Sequence, residues 1–328
     1  MSFLFITSSC KFRIEYKVVE SIFLKFKEID NDVEFIKFNS LSSFFVCCYS
    51  LLRTKVVVFH SPFLLSFPLI CLSWFLNKKI VLFMWDVYPV LISGRRYDTS
   101  LRRRIFDKIE NMAIDMASLI YVPSDDFRLA GFDNIIKTRN FWHCDEVNNS
   151  KRDGYIDSKD KIKVIFAGQI NETRDLTSAF YSLKSYFFDA DFELIIASPN
   201  EVPYDLINNK EVRYIGSLTA SELTKVYNEC HFGLVSLNLN LSKYAFPSKT
   251  FDYISSGLPI LYYGPVDTVF CDYLIETKVG VCLELCNVYD ANSYRYVVEN
   301  FKCLSKVFIR KTCLDSNSVK KMFDEISL

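Results

Sequence analysis

The chain has 328 residues, half of them hydrophobic, with 39 basic and 39 acidic residues and no formal net charge. The length suggests two domains, each able to bury a large core. The neutral balance argues against wholesale nucleic-acid binding. The scarcity of glycine, 9 residues against 30 phenylalanines, argues against disorder and fibrous structure.

The eleven cysteines have no Cys-x-x-Cys spacing and no His-rich partner, so a structural zinc site is not expected. Free thiols in a reducing cytoplasm account for them most simply. The chain begins with a short apolar run, residues 1–6, without a basic lead or a small-residue cleavage site. We interpret this run as a first strand and predict no signal peptide.

Strand-like and helix-like runs alternate through the first part of the chain. The helical period marks 14–26, 41–52 and 101–116, and we predict a buried or interfacial helix at 63–76, which is shorter than the ~20 apolar residues that cross a bilayer. Such alternation predicts a parallel sheet with helices on both faces. The predicted strands are 3–6, 33–38, 55–60, 79–85, 119–122 and 135–138.

A polar segment then separates this part from a second alternating part. We predict domains at 1–145 and 161–310, a linker at 146–160, and a last helix at 311–328 that packs back on the first domain. The predicted fold class is α/β, with two doubly wound Rossmann-like domains facing a central cleft, because ligands bind at the carboxyl ends of such sheets. The strands predicted in the second domain are 162–167, 192–197, 212–215, 232–237, 260–263 and 279–283.

The second domain contains a strand, a loop, a short helix and another strand around residues 244–259. Pro247 suits the first turn of a helix, and Gly257 suits its end. A helix that begins near Ser248 offers free N–H groups to an anion, and Lys249 adds a mobile charge. The alternative is a capped core helix, in which Ser248 is the cap and Lys249 is solvated.

Two further residues would complete such an anion site. Asp252 lies one turn beyond the helix start, about 5.4 Å along the axis, and can reach the next group of a ligand, such as the hydroxyls of a ribose. Gly168 directly follows the first strand of the second domain, and Arg174 begins the next helix, where it can fork onto phosphate oxygens. A surface arginine after a turn is the alternative for Arg174.

In the first domain, Asp86 ends a predicted strand and could orient or deprotonate an acceptor hydroxyl, or it could be a turn former before Pro89. His60 also ends a strand and is a weaker candidate for acceptor binding. Two Asp-x-Asp triplets, 30–32 and 189–191, resemble metal-binding triplets but fall in predicted helix-to-strand turns, where short acids are common. We therefore predict no metal site.

Three features in order resemble the retaining, nucleotide-sugar-dependent glycosyltransferases of the GT-B architecture, family 4 and its relatives. These features are the strand–Gly–loop–Arg run at 164–176, the run Tyr214-Ile215-Gly216-Ser217-Leu218, and Pro247-Ser248-Lys249-x-x-Asp252-Tyr253 followed by Gly257-Leu258-Pro259. A fainter similarity covers 85–89 and 139–142 in the first domain.

The resemblance implies that Arg174 and Lys249 hold the donor diphosphate and that Asp252, where the family usually has Glu, holds the ribose. The backbone around Gly216, Ser217 and Leu218 would flank the nucleobase. The family often places a second acid where this chain has Tyr244, whose hydroxyl can still bond a sugar. The remaining predicted donor-binding residues are Gly168, Ser248 and Thr250.

The resemblance therefore implies a retaining hexosyltransferase, and we expect it to need neither a metal ion nor a cofactor. Asp86, Arg174 and Lys249 are its predicted catalytic residues, and Asp86 and His60 would bind the acceptor. The donor would be a nucleotide sugar, UDP-linked, and the acceptor a lipid-linked oligosaccharide in bacterial O-antigen or capsule synthesis.

We expect this protein at the cytoplasmic face of the plasma membrane as a peripheral protein. The apolar segment 63–76 suits docking on that surface. Basic residues at 95–96, 102–104 and 108 would contact anionic lipid or a lipid-linked pyrophosphate, although a solvated helix face is the alternative.

Two alternatives for the activity stay open. A GT-B epimerase or hydrolase of nucleotide sugars would form product without an acceptor glycan. A non-catalytic nucleotide-sugar-binding module would bind without turnover.

Overall fold

The structure is a computed structural model that describes residues 2–7, 14–61, 63–85, 101–127, 136–138, 161–171, 173–239, 246–285, 293–313 and 315–328. The chain divides into two compact units. The first comprises Met1–His143 with Thr312–Leu328, and the second comprises Cys144–Lys311. The predicted linker, 146–160, lies outside the described residues.

The first unit is built on a six-stranded parallel sheet with the order β2-β1-β3-β4-β5-β6. Its central strands are short, continuous apolar runs because both of their faces are covered. The strands are β1 (Phe3–Thr7), β2 (Val33–Lys37), β3 (Val56–His60), β4 (Lys79–Phe83), β5 (Leu119–Val122) and β6 (Ile136–Thr138). The helices between them are α1 (Ile14–Ile29), α2 (Leu41–Arg53), α3 (Phe67–Phe75) and α4 (Leu101–Met116).

A buried carboxyl group joins α4 to the loop after β3. Glu110 is almost fully buried, and its Oε1 accepts a hydrogen bond of 2.7 Å from the N–H of Phe63. Burial, with a smaller contribution from the nearby charge of Asp107, raises the pKa of Glu110 from 4.5 to about 7. The folded protein therefore holds this proton over a pH range in which the unfolded chain has released it.

This proton makes stability depend on pH. The folded pKa of Glu110 lies above the unfolded value, so its contribution to stability is full below pH 4.5 and is lost as the pH rises through about 7. We expect the free energy of unfolding to fall by about 2 kcal/mol between pH 5 and pH 7 relative to Glu110→Gln, which can still accept the Phe63 bond. Urea denaturation of both proteins at both pH values measures this; equal slopes with pH would contradict it.

The second unit also has a six-stranded parallel sheet, in the order β12-β11-β10-β7-β8-β9. Its strands are β7 (Ile162–Ala167), β8 (Phe192–Ala197), β9 (Val212–Gly216), β10 (Phe232–Ser236), β11 (Ile260–Tyr263) and β12 (Gly280–Cys282). Its helices are α5 (Leu176–Tyr186), α6 (Tyr204–Ile207), α7 (Ala220–Glu229), α8 (Lys249–Ser255), α9 (Val269–Thr277) and α10 (Ser293–Thr312). Because all strands are parallel, their carboxyl ends share one edge of the sheet, where the loops that build a site can meet.

The last helix, α11 (Ser316–Ser327), belongs to the first unit. Asp315 caps its start by accepting a hydrogen bond from the N–H of Ser318. The ring of Phe323 packs against Phe3 and Phe26, with centroids 5.1 and 5.2 Å away. The helix therefore supplies part of the core under β1 and α1.

The predicted α/β class with two Rossmann-like domains is confirmed. The strand predicted at 79–85 ends at Phe83, and the helices α6 and α9 were not predicted. Across the described part of the chain, no helix combines the length and apolar character needed to span a bilayer.

Candidate donor site in the second unit

A cavity of about 240 Å³ lies at the carboxyl ends of β7 and β10. Three segments of the chain form its walls: the end of β7 with the loop after it, the end of β10, and the start of α8. The lining residues are Phe166, Ala167, Gly168, Gln169, Asn171, Arg174, Leu234, Val235, Ser236, Pro247, Ser248, Lys249 and Tyr253. The cavity thus brings together four predicted site residues from distant parts of the sequence, namely Gly168, Arg174, Ser248 and Lys249.

Arg174 is positioned by the turn that follows β7. Its N–H donates to the carbonyl of Asn171 at 2.9 Å. The next residue, Asp175, caps α5 by accepting a hydrogen bond of 3.0 Å from the N–H of Ser178. A closed turn on one side and a capped helix on the other fix the backbone at Arg174, which is half-buried and lines the cavity. Its Nη1 donates to the carbonyl of Thr173 at 3.5 Å.

Ser248 precedes α8 and lines the cavity, and its side chain makes no capping hydrogen bond to the helix. Ser248 therefore stands at the N-cap position, as the alternative interpretation has it, but its side chain does not cap the helix. Because Ser248 lines the cavity, its hydroxyl could donate to a bound anion.

Lys249 is ion-paired with Asp252, one turn further along α8. The Lys249 Nζ lies 2.7 Å from the Asp252 Oδ2, and the two side chains are 42% and 45% exposed. A half-exposed pair of this kind contributes only about 0.3–0.5 kcal/mol. A hydrogen bond from the ammonium to a phosphate is worth about 1.5–3 kcal/mol, so a phosphate can compete for Lys249 with little loss.

Tyr253 lines the cavity and holds two of its strands together. Its place in the sequence motif did not predict this role. The buried hydroxyl accepts a hydrogen bond of 2.9 Å from the N–H of Ala167 and donates a longer one, 3.4 Å, to the carbonyl of Leu234. Burial raises the pKa of Tyr253, so the phenol stays neutral. One side chain therefore ties the ends of β7 and β10 together beneath the site.

A conservative substitution separates the hydroxyl of Tyr253 from its ring. In Tyr253→Phe the N–H of Ala167 loses its partner in a buried position, which costs about 1–3 kcal/mol. We expect the melting temperature to fall by several degrees and the Kd of a bound nucleotide to rise. Thermal denaturation with and without nucleotide measures both changes. Tyr181→Phe, on the exposed side of α5, is the matched control.

The predicted nucleobase-flanking residues lie on the same edge of the sheet but outside the cavity. Gly216 ends β9 with φ of 74°, a conformation that favours glycine, and its carbonyl accepts from the N–H of Ser198 at 3.0 Å. Ser217 and Leu218 follow it and lead into α7. This loop is available to a group that extends from the cavity along the sheet edge.

Two residues predicted to bind ligands, Thr250 and His60, are buried, and their burial argues against the predicted roles. Thr250, predicted to bind the donor, is fully buried in α8, so its hydroxyl is closed to a ligand. His60, predicted to bind the acceptor, is 2% exposed; its Nδ1 donates to the carbonyl of Ser61 at 2.8 Å and its Nε2 accepts from the hydroxyl of Thr7 at 2.6 Å. Burial lowers the pKa of His60 to about 4, so it is a neutral structural residue that joins β1 to β3.

Several predicted residues lie outside the described part of the chain. Asp86, Tyr244 and the basic residues 95–96 lie outside the described residues, and of 102–104 only the side chain of Arg104 is described. The two Asp-x-Asp triplets lie in helix-to-strand turns as predicted, and Asp30 closes one by accepting from the N–H of Asp32. In the described ranges no group of three or more His, Cys, Asp or Glu side chains is placed to hold a metal ion.

No protein-family model and no curated protein matches the chain. Solved structures resemble it in fold. A glycosyltransferase from Rickettsia africae ESF-5 has a TM-score of 0.58 at 10% identity and covers 99% of this chain and 98% of its own. The outer core galactosyltransferase WaaB of lipopolysaccharide has a TM-score of 0.51 at 11% identity, covering 99% and 95%. MnaA of S. aureus, solved with UDP, has a TM-score of 0.52 at 13% identity, covering 100% and 96%.

These likenesses extend over nearly the whole chain at very low identity, so they define the fold. Together with the two parallel six-stranded sheets, they show that the chain has the GT-B fold.

Proposed function

We propose that this chain is a glycosyltransferase that moves a hexose from a nucleoside diphosphate sugar to a lipid-linked oligosaccharide. The donor in this proposal is UDP-linked, and the pathway is the synthesis of a bacterial surface polysaccharide, O-antigen or capsule. The observation that carries the proposal is the convergence of Arg174 and Lys249 on one cavity at the carboxyl edge of the second sheet.

The chemistry of the cavity wall favours an anion. Two of the residues described around it carry positive charge and none is acidic. Hydroxyl and amide groups from Ser248, Gln169 and Asn171 add neutral hydrogen-bonding groups, and Asp252 stands just outside, paired with Lys249. A diphosphate fits this arrangement, with the ribose hydroxyls directed to the Asp252 carboxylate.

The arrangement can assist the transfer step. Breaking the bond between the anomeric carbon and the diphosphate leaves a negative charge on the departing oxygen. A cation at 4 Å from that charge is worth up to about 4 kcal/mol at a near-surface dielectric. Arg174 and Lys249 would supply this stabilisation without a metal ion.

The remaining parts of the proposal rest on the sequence alone, namely on the position of Asp86 after a predicted strand and on the family resemblance. Asp86 would orient or deprotonate the acceptor hydroxyl, Tyr244 would contact the donor sugar, and the configuration at the anomeric carbon would be retained. We place the enzyme at the cytoplasmic face of the plasma membrane as a peripheral protein, because its acceptor would be anchored there.

Substitution of Lys249 tests the donor site without knowledge of the acceptor. A ligand at 100 times its Kd stabilises the folded protein by about 2.7 kcal/mol, so nucleotide sugars of the correct class should raise the melting temperature. We expect a screen of nucleotides and nucleotide sugars to give the largest shift with a UDP sugar and Lys249→Ala to lose most of that shift. Lys225→Ala, on the exposed face of α7, is the matched control.

Transfer assays then distinguish the possible activities. Release of UDP that requires an acceptor glycan supports a transferase. Product formed from the nucleotide sugar alone would indicate an epimerase or hydrolase instead of a transferase. Tight binding without turnover would indicate a binding module. Undiminished transfer and donor affinity in Lys249→Ala would refute the assigned role.

A further inference from the structure

Helix α2 of the first unit exposes a stripe of large apolar side chains. One face of the helix is buried, with Cys47 and Leu51 inside the unit. The opposite face is apolar as well, whereas a surface helix normally presents polar residues to water. The exposed stripe follows the helical period and consists of Leu41, Phe45, Tyr49 and Leu52, which are 55–73% exposed.

Helix α3 packs against α2 and extends this surface. At its end, Trp74 is 60% and Phe75 is 79% exposed, and just before its start Leu64 and Leu65 are exposed. We call the stripe on α2 together with these four residues the α2–α3 face. Large exposed apolar side chains concentrated on two packed helices mark an interaction site more often than scattered single residues do.

The segment of the chain that forms the α2–α3 face carries charge of one sign. The sequence contains no Asp or Glu from residue 35 to residue 85, although the whole chain has 39 acidic residues. Basic residues at the ends of both helices lie together, because the N–H of Lys79 donates to the carbonyl of Lys55 at 3.0 Å where β3 and β4 begin. The basic residues of this segment are Lys37, Arg53, Lys55, Lys78 and Lys79.

Aromatic and basic groups meet at the edge of this face. The guanidinium of Arg53 lies 4.2 Å from the centre of the Tyr49 ring. Helix α4, which also packs against α3, adds the exposed residues Arg104 and Lys108 as well as the acids Asp107 and Asp115. Apolar side chains bordered by Trp, Tyr and cations are typical of helices that lie in the headgroup layer of a membrane.

We propose that the α2–α3 face docks on the surface of an anionic lipid bilayer. The apolar side chains would enter the boundary between headgroups and acyl chains, and the cations at the helix ends would contact anionic headgroups. A soluble partner with an apolar groove would not account for fifty-one successive residues without one acid, whereas an anionic surface does. The proposal deepens the proposed function by naming the surface that brings the enzyme to a lipid-linked acceptor. The purpose of the docking rests on the proposed function, whereas the docking itself does not.

Sedimentation with lipid vesicles tests the docking without any nucleotide or sugar. The full chain is mixed with vesicles of phosphatidylcholine alone, or with about one third phosphatidylglycerol. We expect most of the protein to sediment with the anionic vesicles at low salt. Partitioning should be at least tenfold weaker to the neutral vesicles, and also at least tenfold weaker to the anionic vesicles at high salt. Because nucleotide binding is measured separately, failure of vesicle binding and failure of the donor site are distinguishable.

Two pairs of variants locate the contact. Phe45→Ser with Phe75→Ser should lower partitioning at least tenfold, whereas Phe188→Ser with Tyr204→Ser, equally exposed on the second unit, should leave it unchanged. Arg53→Gln with Lys55→Gln should also lower binding to anionic vesicles about thirtyfold, since each cation near the surface is worth about 1 kcal/mol. Lys210→Gln with Lys225→Gln is the charge-matched control.

Three outcomes would overturn the proposal. The first is that the Phe45/Phe75 variant partitions to the vesicles as strongly as the wild-type protein. The second is that the control variants lose as much vesicle binding as the variants of the α2–α3 face. The third is a dimer in solution that this variant converts to a monomer while neither protein sediments with vesicles, which would assign the face to a second copy of the chain. Retained melting temperatures show that the variants are folded.

Discussion

Replacing Arg174 by alanine should lower kcat/KM for sugar transfer by two to three orders of magnitude. Arg174 lines the cavity, where its guanidinium would fork onto the diphosphate. Its contribution grows as the departing oxygen becomes charged, and removing one such preorganised donor commonly costs about 10²–10³ in rate. We therefore expect a loss in kcat as well as weaker donor binding. Steady-state kinetics with the donor identified by the thermal screen measures both.

Arg213→Ala provides the matched control for Arg174→Ala. Arg213 is on β9, where its side chain lies 3.5 Å from the carboxylate of Glu193 on β8 and does not line the cavity. This variant should keep at least half of the wild-type activity. If Arg174→Ala were as active as the control, the diphosphate would have to bind elsewhere, and the donor site would be assigned wrongly.

Adding a single methyl group at Gly233 should destabilise the second unit by more than about 3 kcal/mol, at the upper end of the range for overpacked cores. Gly233 lies in β10 directly under the buried ring of Tyr253. A Cβ at this position would overlap the ring carbons, and even Cδ1 would be only 2.8 Å away. Urea denaturation of Gly233→Ala measures the loss. Because the ring must move, nucleotide binding should weaken as well.

A double substitution separates this overlap from other effects of Gly233→Ala. Tyr253→Leu removes the ring but costs the hydrogen bond to Ala167. If the ring is the obstacle, Gly233→Ala should cost much less stability in the Tyr253→Leu background than in the wild-type protein, with a coupling free energy of about 1–3 kcal/mol. Strictly additive losses would show that Gly233 is required for another reason.

The sequence predicted the layered fold well because its signals are local. Short β-branched and apolar runs, separated by helical-period segments, indicate parallel strands with helices on both faces. The position of a glycine after β7 and of a proline before α8 also located the two ends that meet at the cavity. Parallel topology brings the carboxyl ends of strands to one edge, so residues far apart in sequence could be assigned to one site.

Side-chain direction and burial could not be predicted in the same way. Thr250 follows three cavity-lining residues in sequence, but the turn of α8 directs it into the core. His60 ends a strand at the expected edge, but two hydrogen bonds hold it inside the first unit. Tyr253 was missed because a tyrosine within a helix resembles any core aromatic; the glycine at 233, in the middle of an apolar strand, was the available signal.

The ion pair between Lys249 and Asp252 has a consequence for ligand discrimination. Inorganic pyrophosphate would draw the ammonium away and leave the carboxylate facing another anion without compensation. A nucleoside diphosphate would provide a new partner for both side chains at once, because its phosphate would bind the Lys249 ammonium and its ribose hydroxyls would donate to the Asp252 carboxylate. We therefore expect UDP to inhibit far more strongly than pyrophosphate at equal concentration, and Asp252→Asn to narrow that gap. Only a ligand that carries an anion and a diol at the right separation would therefore separate this ion pair without leaving one of its charges uncompensated.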